Sequence, residues 1–241
     1  MGKGRMMEPE QIVEAIDKMF EAEQTLAGKR VMVTAGATIE AIDPVRYISN
    51  HSTGKMGYAI AEELARRGAE VTLVSGKTAL QAPQGVRRVN VLSAEEMYEA
   101  AIKEFEAADC AVMCAAVADY TPVEVSATKI KKSDAAFSIE LRKTKDIAFE
   151  LGKVKGERKI VGFALETDNE QVNAEEKLRK KNLDMIVLNS LRDEGAGFGY
   201  ETNKVSFIDA SHREELPLLS KAEVAKHIAD RIERMLSKIK N

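Results

Sequence analysis

The stretch Cys110–Ala118, CAVMCAAVA, is apolar at every position. A strand with one wet face alternates polar and apolar residues, so a continuous run must be covered on both sides. Four other short runs rich in β-branched or apolar residues accompany it: Lys29–Gly36, Ala69–Gly76, Lys159–Glu166 and Leu183–Asn189. RRVNVL, Arg87–Leu92, reads as a further strand, and KVSFID, Lys204–Asp209, as another. Between them lie helical patterns: Gly54–Gly68, ended by Gly68, then Ser93–Phe105, Asn169–Asn182 and Ser220–Lys240 with Ser220 as N-cap. Residues 8–27 carry Ile12, Ile16, Met19 and Phe20 at helical spacing. Strands alternating with helices predict an α/β chain, a Rossmann-like doubly wound mostly parallel sheet with helices on both faces. Residues 120–158 are basic and hold only short strand-like pieces, a looser β-rich segment beside that sheet.

The bulk composition closes off several function classes. The chain has 241 residues, 44% hydrophobic and 31% charged, with net charge −3. It reads as a soluble globular protein with no surface for nucleic acid or membrane. No apolar run approaches the roughly 20 residues of a bilayer span. The polar N-terminus is no signal peptide. Cys110 and Cys114 read as two buried thiols of a reducing, cytoplasmic compartment. Four residues along a strand span about 13 Å, beyond disulfide reach. His51, His212 and His227 show no metal spacing.

Ligands of doubly wound sheets bind beyond the carboxyl ends of the strands, here the loops after Ala35, Ala118, Leu165 and Asn189. The first strand ends TAGATIEAID, without G-x-G-x-x-G, and the second ends LVSGK, without an acid. A nicotinamide dehydrogenase therefore ranks low. RYISNHSTGKMG, Arg46–Gly57, has phosphate-cradle ingredients in the wrong order for a P-loop. Two readings stand level. In one, Gly54 to Gly57 open a helix whose bare N–H groups take an anion, helped by Asn50, Ser52 and Thr53. In the other, Ser52 or Thr53 merely caps that helix and Lys55 is solvated. Asp119, just past the apolar strand, is either a turn residue or a carboxylate for a ribose, a base or a metal. Lys129 and Lys131 share one side of an extended segment, opposite Ile130, with Lys132 following. Lys177 and Lys181 share one helix face. Lysines so placed usually face solvent, but would also serve a triphosphate. Glu166, Thr167 and Asp168 lead into that second helix. No Ser-His-Asp or Cys-His set is visible.

Taken in order, TAGATIEAIDPVRYISNHSTGKMG, CAAVADY, KIKK, VGFALET, KLRKKNLDMIVLN and GFGYETNKV resemble phosphopantothenoylcysteine synthetase over roughly residues 29–235. DPVRYISNHSTGKMG, and AAVADY followed by KIKK, are its specific marks. GKGRMMEPEQIV resembles the end of the flavin-dependent phosphopantothenoylcysteine decarboxylase, the other half of the bacterial bifunctional protein. The resemblance implies residues 1–28 as a leader helix from that half and 29–241 as the synthetase domain. It implies a chain cut from, or descended from, a fusion with the flavin half, with no decarboxylase activity and no flavin.

The implied reaction joins 4′-phosphopantothenate to L-cysteine. CTP with Mg²⁺ activates the carboxylate as an acyl-cytidylate and pyrophosphate leaves; the cysteine amine then attacks and CMP leaves. The metal ligands stay unassigned. The catalytic positions carried over are Asn50, donating to the carboxyl oxygen of the intermediate, and Lys129, neutralising the leaving phosphate. Met113, Cys114, Ala115 and Asp119 match positions around the cytidine. Thr144, Lys145, Asp146, Ile147, Phe163, Lys177 and Lys181 match further nucleotide positions, as does Lys129. Asn50, Ser52, Thr53, Gly54 and Lys55 fall to the phosphopantothenate side. Two departures stand out: Thr144-Lys145-Asp146-Ile147 where the family often has N-P-D-I, and Gly36-Ala37-Thr38-Ile39 where it often has G-P-T-R. The resemblance also implies a homodimer with sites shared between subunits, residues 37–53 and Gly197–Asn203 being interface candidates.

Overall fold

The computed structural model describes residues 8–9, 24–131, 137–166, 169–190, 197 and 199–237. The expected leader helix lies outside the described residues, apart from Glu8, Pro9 and a turn beginning near Gln24.

The first part of the chain runs β1 (Arg30–Ala35), β2 (Ile39–Ala41), β3 (Tyr47–Ser49), α1 (Lys55–Arg66), β4 (Glu70–Ser75), β5 (Arg87–Asn90) and α2 (Ala94–Phe105). Then come β6 (Cys110–Met113), β7 (Tyr120–Pro122), β8 (Leu141–Lys143), α3 (Ile147–Lys153), β9 (Lys159–Glu166), α4 (Glu170–Lys180) and β10 (Met185–Ser190). The last elements are β11 (Thr202–Asn203), β12 (Val205–Ile208), β13 (Arg213–Glu215), β14 (Leu219–Ser220) and α5 (Lys221–Ser237). Eight strands form one sheet in the order β13-β12-β10-β9-β6-β1-β4-β5. β5 through β10 of that order are parallel; β12 and β13 run antiparallel at one edge. The sheet is Rossmann-like and mostly parallel, as the alternation of strands and helices predicts.

Alternation along β1 divides the core. Val31 and Val33 point to the face covered by α1 and α5, where Ile60, Leu64, Ile228 and Ile232 are buried. Met32 points to the opposite face, with Met97 and Phe105 of α2, Leu151 of α3 and Leu178 of α4. Both faces are covered, which is why the central strands carry no polar alternation.

The helix ends follow their sequence signals. Gly68 has φ 86° and closes α1, its N–H reaching Ala65 O. Ser220 caps α5: Glu223 N–H donates to its hydroxyl at 3.2 Å, and Ser220 N–H donates back to Glu223 at 2.9 Å. α1 differs at its start. Gly54 sits at φ 84° and no side chain caps the helix.

Two features depart from the sequence reading. The apolar run leaves the sheet at Met113, so only its first half is strand. A helix, α3, stands in the supposedly loose segment, its N-cap Asp146 accepting from Phe149 N–H. The rest of that segment contributes β7 and β8, which pair as a small ribbon, and β2 and β3 form another.

α1 lies against β1 at Gly57. A Cβ there would sit 2.6 Å from Ala35 Cβ and 3.2 Å from Thr34 O, which no packing tolerates. Gly57→Ala is expected to destabilise the chain by about 1–3 kcal/mol through overpacking, read as a lowered urea midpoint at unchanged slope.

Candidate functional site

The chain order β1-β4-β5 grows one way and β6-β9-β10 the other, so the topological switch point lies between β1 and β6. The loops after these strands are laced together. Ala115 N–H donates to Thr34 Oγ1 at 3.2 Å and Ala118 N–H to Thr38 Oγ1 at 2.9 Å. Ala116 N–H reaches Gly36 O, and Thr38 N–H reaches Ala116 O. This lacing pulls Cys114–Ala118 out of the sheet and turns it into a wall.

Beyond that wall lies a cavity of about 700 Å³. It takes in Asn50, Met113, Ala115 and Asp119, then Thr144, Lys145, Asp146 and Ile147, and finally Phe163, Lys177 and Lys181. Eleven residues singled out from the sequence thus converge on one space. His51, Tyr120 and Lys143 line it as well and were not singled out. Lys143 carries a readable signal: it closes the strand that leads into Thr144.

Four lysines and two aspartates line the cavity, so its charge is cationic. Lys181 pairs with Asp146 at 2.9 Å, and Lys145 with Glu95 at 2.6 Å. Lys145 also lies 4.1 Å from the Tyr98 ring centroid. The Glu95 carboxylate holds the Lys145 ammonium above its ordinary pKa. The α3 N-terminus opens onto the same space through Asp146, Ile147 and Ala148. A cationic pocket of this size suits a nucleotide, with apolar Met113, Ala115 and Phe163 for a base.

Asn50 is tied to the wall of this cavity. Its side-chain amide donates to Ala116 O at 3.1 Å and to Val117 O at 3.2 Å. Both N–H groups are thus committed to the wall loop, and the carbonyl Oδ1 is the atom left for a ligand. Donation to a substrate oxygen requires releasing one of these bonds.

A second cavity, of about 140 Å³, opens at the start of α1. It takes in Ser52, Thr53, Gly54, Lys55 and Cys114, and shares Ala115, Ala116, Phe163 and Leu165 with the large cavity. Ser52 Oγ accepts from Gly54 N–H at 3.3 Å, so it shapes the turn rather than capping the helix. Lys55, partly exposed, is paired: its Nζ donates to the Glu201 carboxylate and to Gly199 O at 3.5 Å. Hydrogen bonding from Lys55 keeps the Glu201 carboxyl below its ordinary range. Burial pushes the Cys114 thiol up to about 12. Asn189, Asn203 and Lys221 complete this cavity, and the sequence reading reached none of them as site residues. The position after β10 marked Asn189 as a place to look, and Asn203 ends the Gly197–Asn203 interface candidate; Lys221 carries no comparable signal.

Lys129 stays apart. It is exposed and lines neither cavity. Its neighbour Ile130 is clamped: the N–H donates to Asp43 at 3.1 Å, and Arg46 donates to its carbonyl at 2.7 Å. Asp43, its side chain buried, is held well below the usual carboxylate range by the Arg46 guanidinium. The lysine-rich stretch beginning at Lys129 therefore starts from a fixed point. Lys132, Thr167 and Asp168 lie outside the described residues, as does Phe198 of the glycine-rich loop.

Among the described residues, no three His, Cys, Asp or Glu side chains cluster as a metal site. No helix among them is long and apolar enough to cross a membrane.

Fold and cavities together define a doubly wound α/β protein with a nucleotide-sized cationic site at its switch point and a smaller chamber beside it. The model of the DNA/pantothenate metabolism flavoprotein C-terminal domain matches residues 26–236, and the chain belongs to that family. It is 51% identical over 238 residues to a cysteine/cysteine sulfinic acid decarboxylase of an unknown prokaryotic organism, spanning 96% of this chain and 66% of that protein. It is 47% identical over 236 residues to the coenzyme A biosynthesis bifunctional protein CoaBC of Bacillus subtilis (strain 168), spanning 96% of this chain and 58% of that protein. The chain thus spans less than two thirds of the length of these relatives. A crystal structure of the C-terminal domain of CoaBC superposes with TM-score 0.77 at 44% identity, covering 89% of this chain and 99% of that one.

Proposed function

We propose that the chain is a ligase of coenzyme A biosynthesis that joins 4′-phosphopantothenate to L-cysteine at the expense of CTP. The observation that carries this is the convergence of eleven expected nucleotide and substrate residues on the large cavity, in a chain 44% identical to the C-terminal domain of CoaBC. That cavity is where CTP would lie. The cytosine and ribose face Met113, Ala115, Asp119 and Phe163, and the phosphates face the lysines. A carboxylate oxygen of phosphopantothenate attacks the α-phosphorus, the α–β P–O bond breaks, and pyrophosphate leaves. The amine of cysteine then attacks the acyl carbon, the C–O bond to phosphate breaks, and CMP departs with the electron pair.

The residues do positioning and charge work, as phosphoryl transfer requires. Lys177 and Lys181 meet the triphosphate, which competes with Asp146 for Lys181. Asn50 holds the wall loop through two carbonyls and turns its Oδ1 toward the reacting centre. Mg²⁺ would be carried mainly by phosphate oxygens, as hard cations with nucleotides usually are; it would neutralise charge on the leaving pyrophosphate. We further propose a cytoplasmic homodimer with shared sites. In it Lys129, remote from its own cavity, serves the partner's intermediate when the amine attacks. A flavin decarboxylase half, fused in CoaBC relatives, would supply the next step and is not needed for this one. The decarboxylase name of the 51% identical relative belongs to a longer protein and favours no separate chemistry in these cavities.

Pyrophosphate release decides the reading. With phosphopantothenate, L-cysteine and Mg²⁺, CTP is expected to give release and product, and ATP much less. Release with ATP alone moves the chain to an ATP-using ligase; release with neither rejects the ligase.

Asn50→Asp is expected to lower turnover by about 10²-fold or more, because a carboxylate would face two carbonyls and the acyl phosphate together. Near-normal turnover would make Asn50 a structural residue only. Lys129→Gln is expected to leave cysteine-independent pyrophosphate release within about threefold while slowing amide formation by about 10²-fold. Equal loss of both half-reactions would remove Lys129 from that role.

A further inference from the structure

Lys145 lines the large cavity, yet its ammonium rests on residues outside that lining. Its Nζ donates to Glu95 at 2.6 Å and lies 4.1 Å from the Tyr98 ring centroid. Both partners belong to α2, which contributes no residue to either cavity of the site. The backbone on each side of Lys145 is fixed. Thr144 donates through Oγ1 to Ala118 O at 2.6 Å and through its N–H to Asp119 O at 3.0 Å. Asp146 caps α3. Only the flexible four-carbon stem is left to carry the charge between α2 and the cavity.

The resting place on α2 is firmly built but shallow. Glu96 N–H donates to Ser93 Oγ at 3.1 Å and Leu92 N–H to Glu96 at 2.7 Å, a capping box. Ala94 N–H donates at 2.8 Å to the buried carboxylate of Glu40. The Tyr98 ring packs against the core beneath α2. Glu99 of the same helix adds negative charge that Lys145 feels. The side chains of Lys145 and Glu95 are nonetheless 49% and 51% exposed, and exposed pairs hold weakly. A ligand with denser charge than one carboxylate, seated in the cavity, draws the ammonium off α2. A nucleoside monophosphate, with less charge, pulls less.

From this we propose that Glu95 is a positioning residue: it holds Lys145 in reserve on α2, and the ligand that draws Lys145 into the cavity is a polyphosphate chain. The inference deepens the ligase reading and rests on it, since the triphosphate of CTP and then the departing pyrophosphate are the polyphosphates of that reaction. Each must take Lys145 from Glu95, so the apparent affinity for each is lowered by the share of Lys145 that rests on α2. Glu95 thereby loosens the hold on the leaving pyrophosphate.

The experiment is a double-mutant cycle read by calorimetry. CTP, CMP and inorganic pyrophosphate are titrated with Mg²⁺ into the full chain, Glu95→Gln, Lys145→Ala and the double variant. Lys145→Ala is expected to weaken CTP and pyrophosphate about tenfold and CMP by less than about twofold. Glu95→Gln is expected to tighten CTP and pyrophosphate about threefold, because Lys145 no longer has a carboxylate to leave. A pair with a structural role alone would weaken binding when lost, or leave it unmoved. In the Lys145→Ala background the gain from Glu95→Gln is expected to vanish. Unchanged or weaker CTP binding by Glu95→Gln overturns the inference. So does a gain that survives Lys145→Ala, since Glu95 would then act on the ligand by its own charge. Both side chains are about half exposed, so neither change disturbs the core. If the parent binds CTP but releases no pyrophosphate in the complete assay, the ligase reading falls and the cycle still decides the role of Glu95. If CTP does not bind, the pyrophosphate titration decides that role, and binding of neither overturns it.

Discussion

Everything at the site hangs on the lacing of two loops. Thr34 and Thr38 each give a hydroxyl oxygen to a backbone N–H of the loop after β6, and Gly36 and Ala116 complete the ladder. These bonds satisfy backbone groups that would otherwise be buried without partners once the loop leaves the sheet. Asn50 adds a third strand to the lacing from the far side of the β2–β3 ribbon. The result is a wall between two chambers, made of small residues that let ligand atoms come close on either side. Gly54 belongs to the same arrangement: its position near Gly36 leaves about 3.4 Å for any added Cβ, so α1 can start directly beside the wall.

The cations of the site are held rather than loose. Lys181 sits on Asp146, Lys145 on Glu95, and Lys55 on Glu201. Exposed pairs of this kind contribute about 0–1 kcal/mol each, so a polyanion can take them over at small cost. The pairing keeps long side chains ordered before a ligand arrives, which lowers the entropy lost on binding. Asp43 is the opposite case. Its carboxylate accepts from the backbone of Val45, Arg46 and Ile130 as well as from the Arg46 side chain. A group so saturated is an anchor, joining the β2–β3 turn to the segment that begins at Lys129.

Much of this was legible in the order of residue types. The apolar run at Cys110 demanded a sheet covered twice, and the helix ends at Gly68 and Ser220 follow local chemistry that needs no tertiary knowledge. The strand-end rule pointed to the loops that line both cavities. What remained hidden depends on contacts far apart in sequence. Nothing in CAVMCAAVA says that its second half leaves the sheet, because the cause is two threonine hydroxyls about 80 residues upstream. Helix α3 was missed because it is a single short segment of 7 residues, too brief for a periodic signal. Lys221 was unreadable as a site residue, since it comes from the far end of the chain and only the packing of α5 beside α1 brings it to the small cavity. For Asn50 the sequence pointed to the position but not to its bonds with the carbonyls of Ala116 and Val117. Which end of an amide faces a ligand is set by its other partners, and here those are carbonyls of the wall.

Cys114 has a place in this picture that its sequence context did not suggest. Burial lifts the Cys114 pKa to about 12, so at neutral pH the side chain stays a protonated thiol. The thiol then serves only as a small apolar surface beside Phe163. The same desolvation acts on Lys221 in the opposite sense, weakening its charge and so raising the return from any carboxylate that restores it. One physical condition, burial, therefore quiets the nucleophile and lowers the pKa of the cation in the same small space.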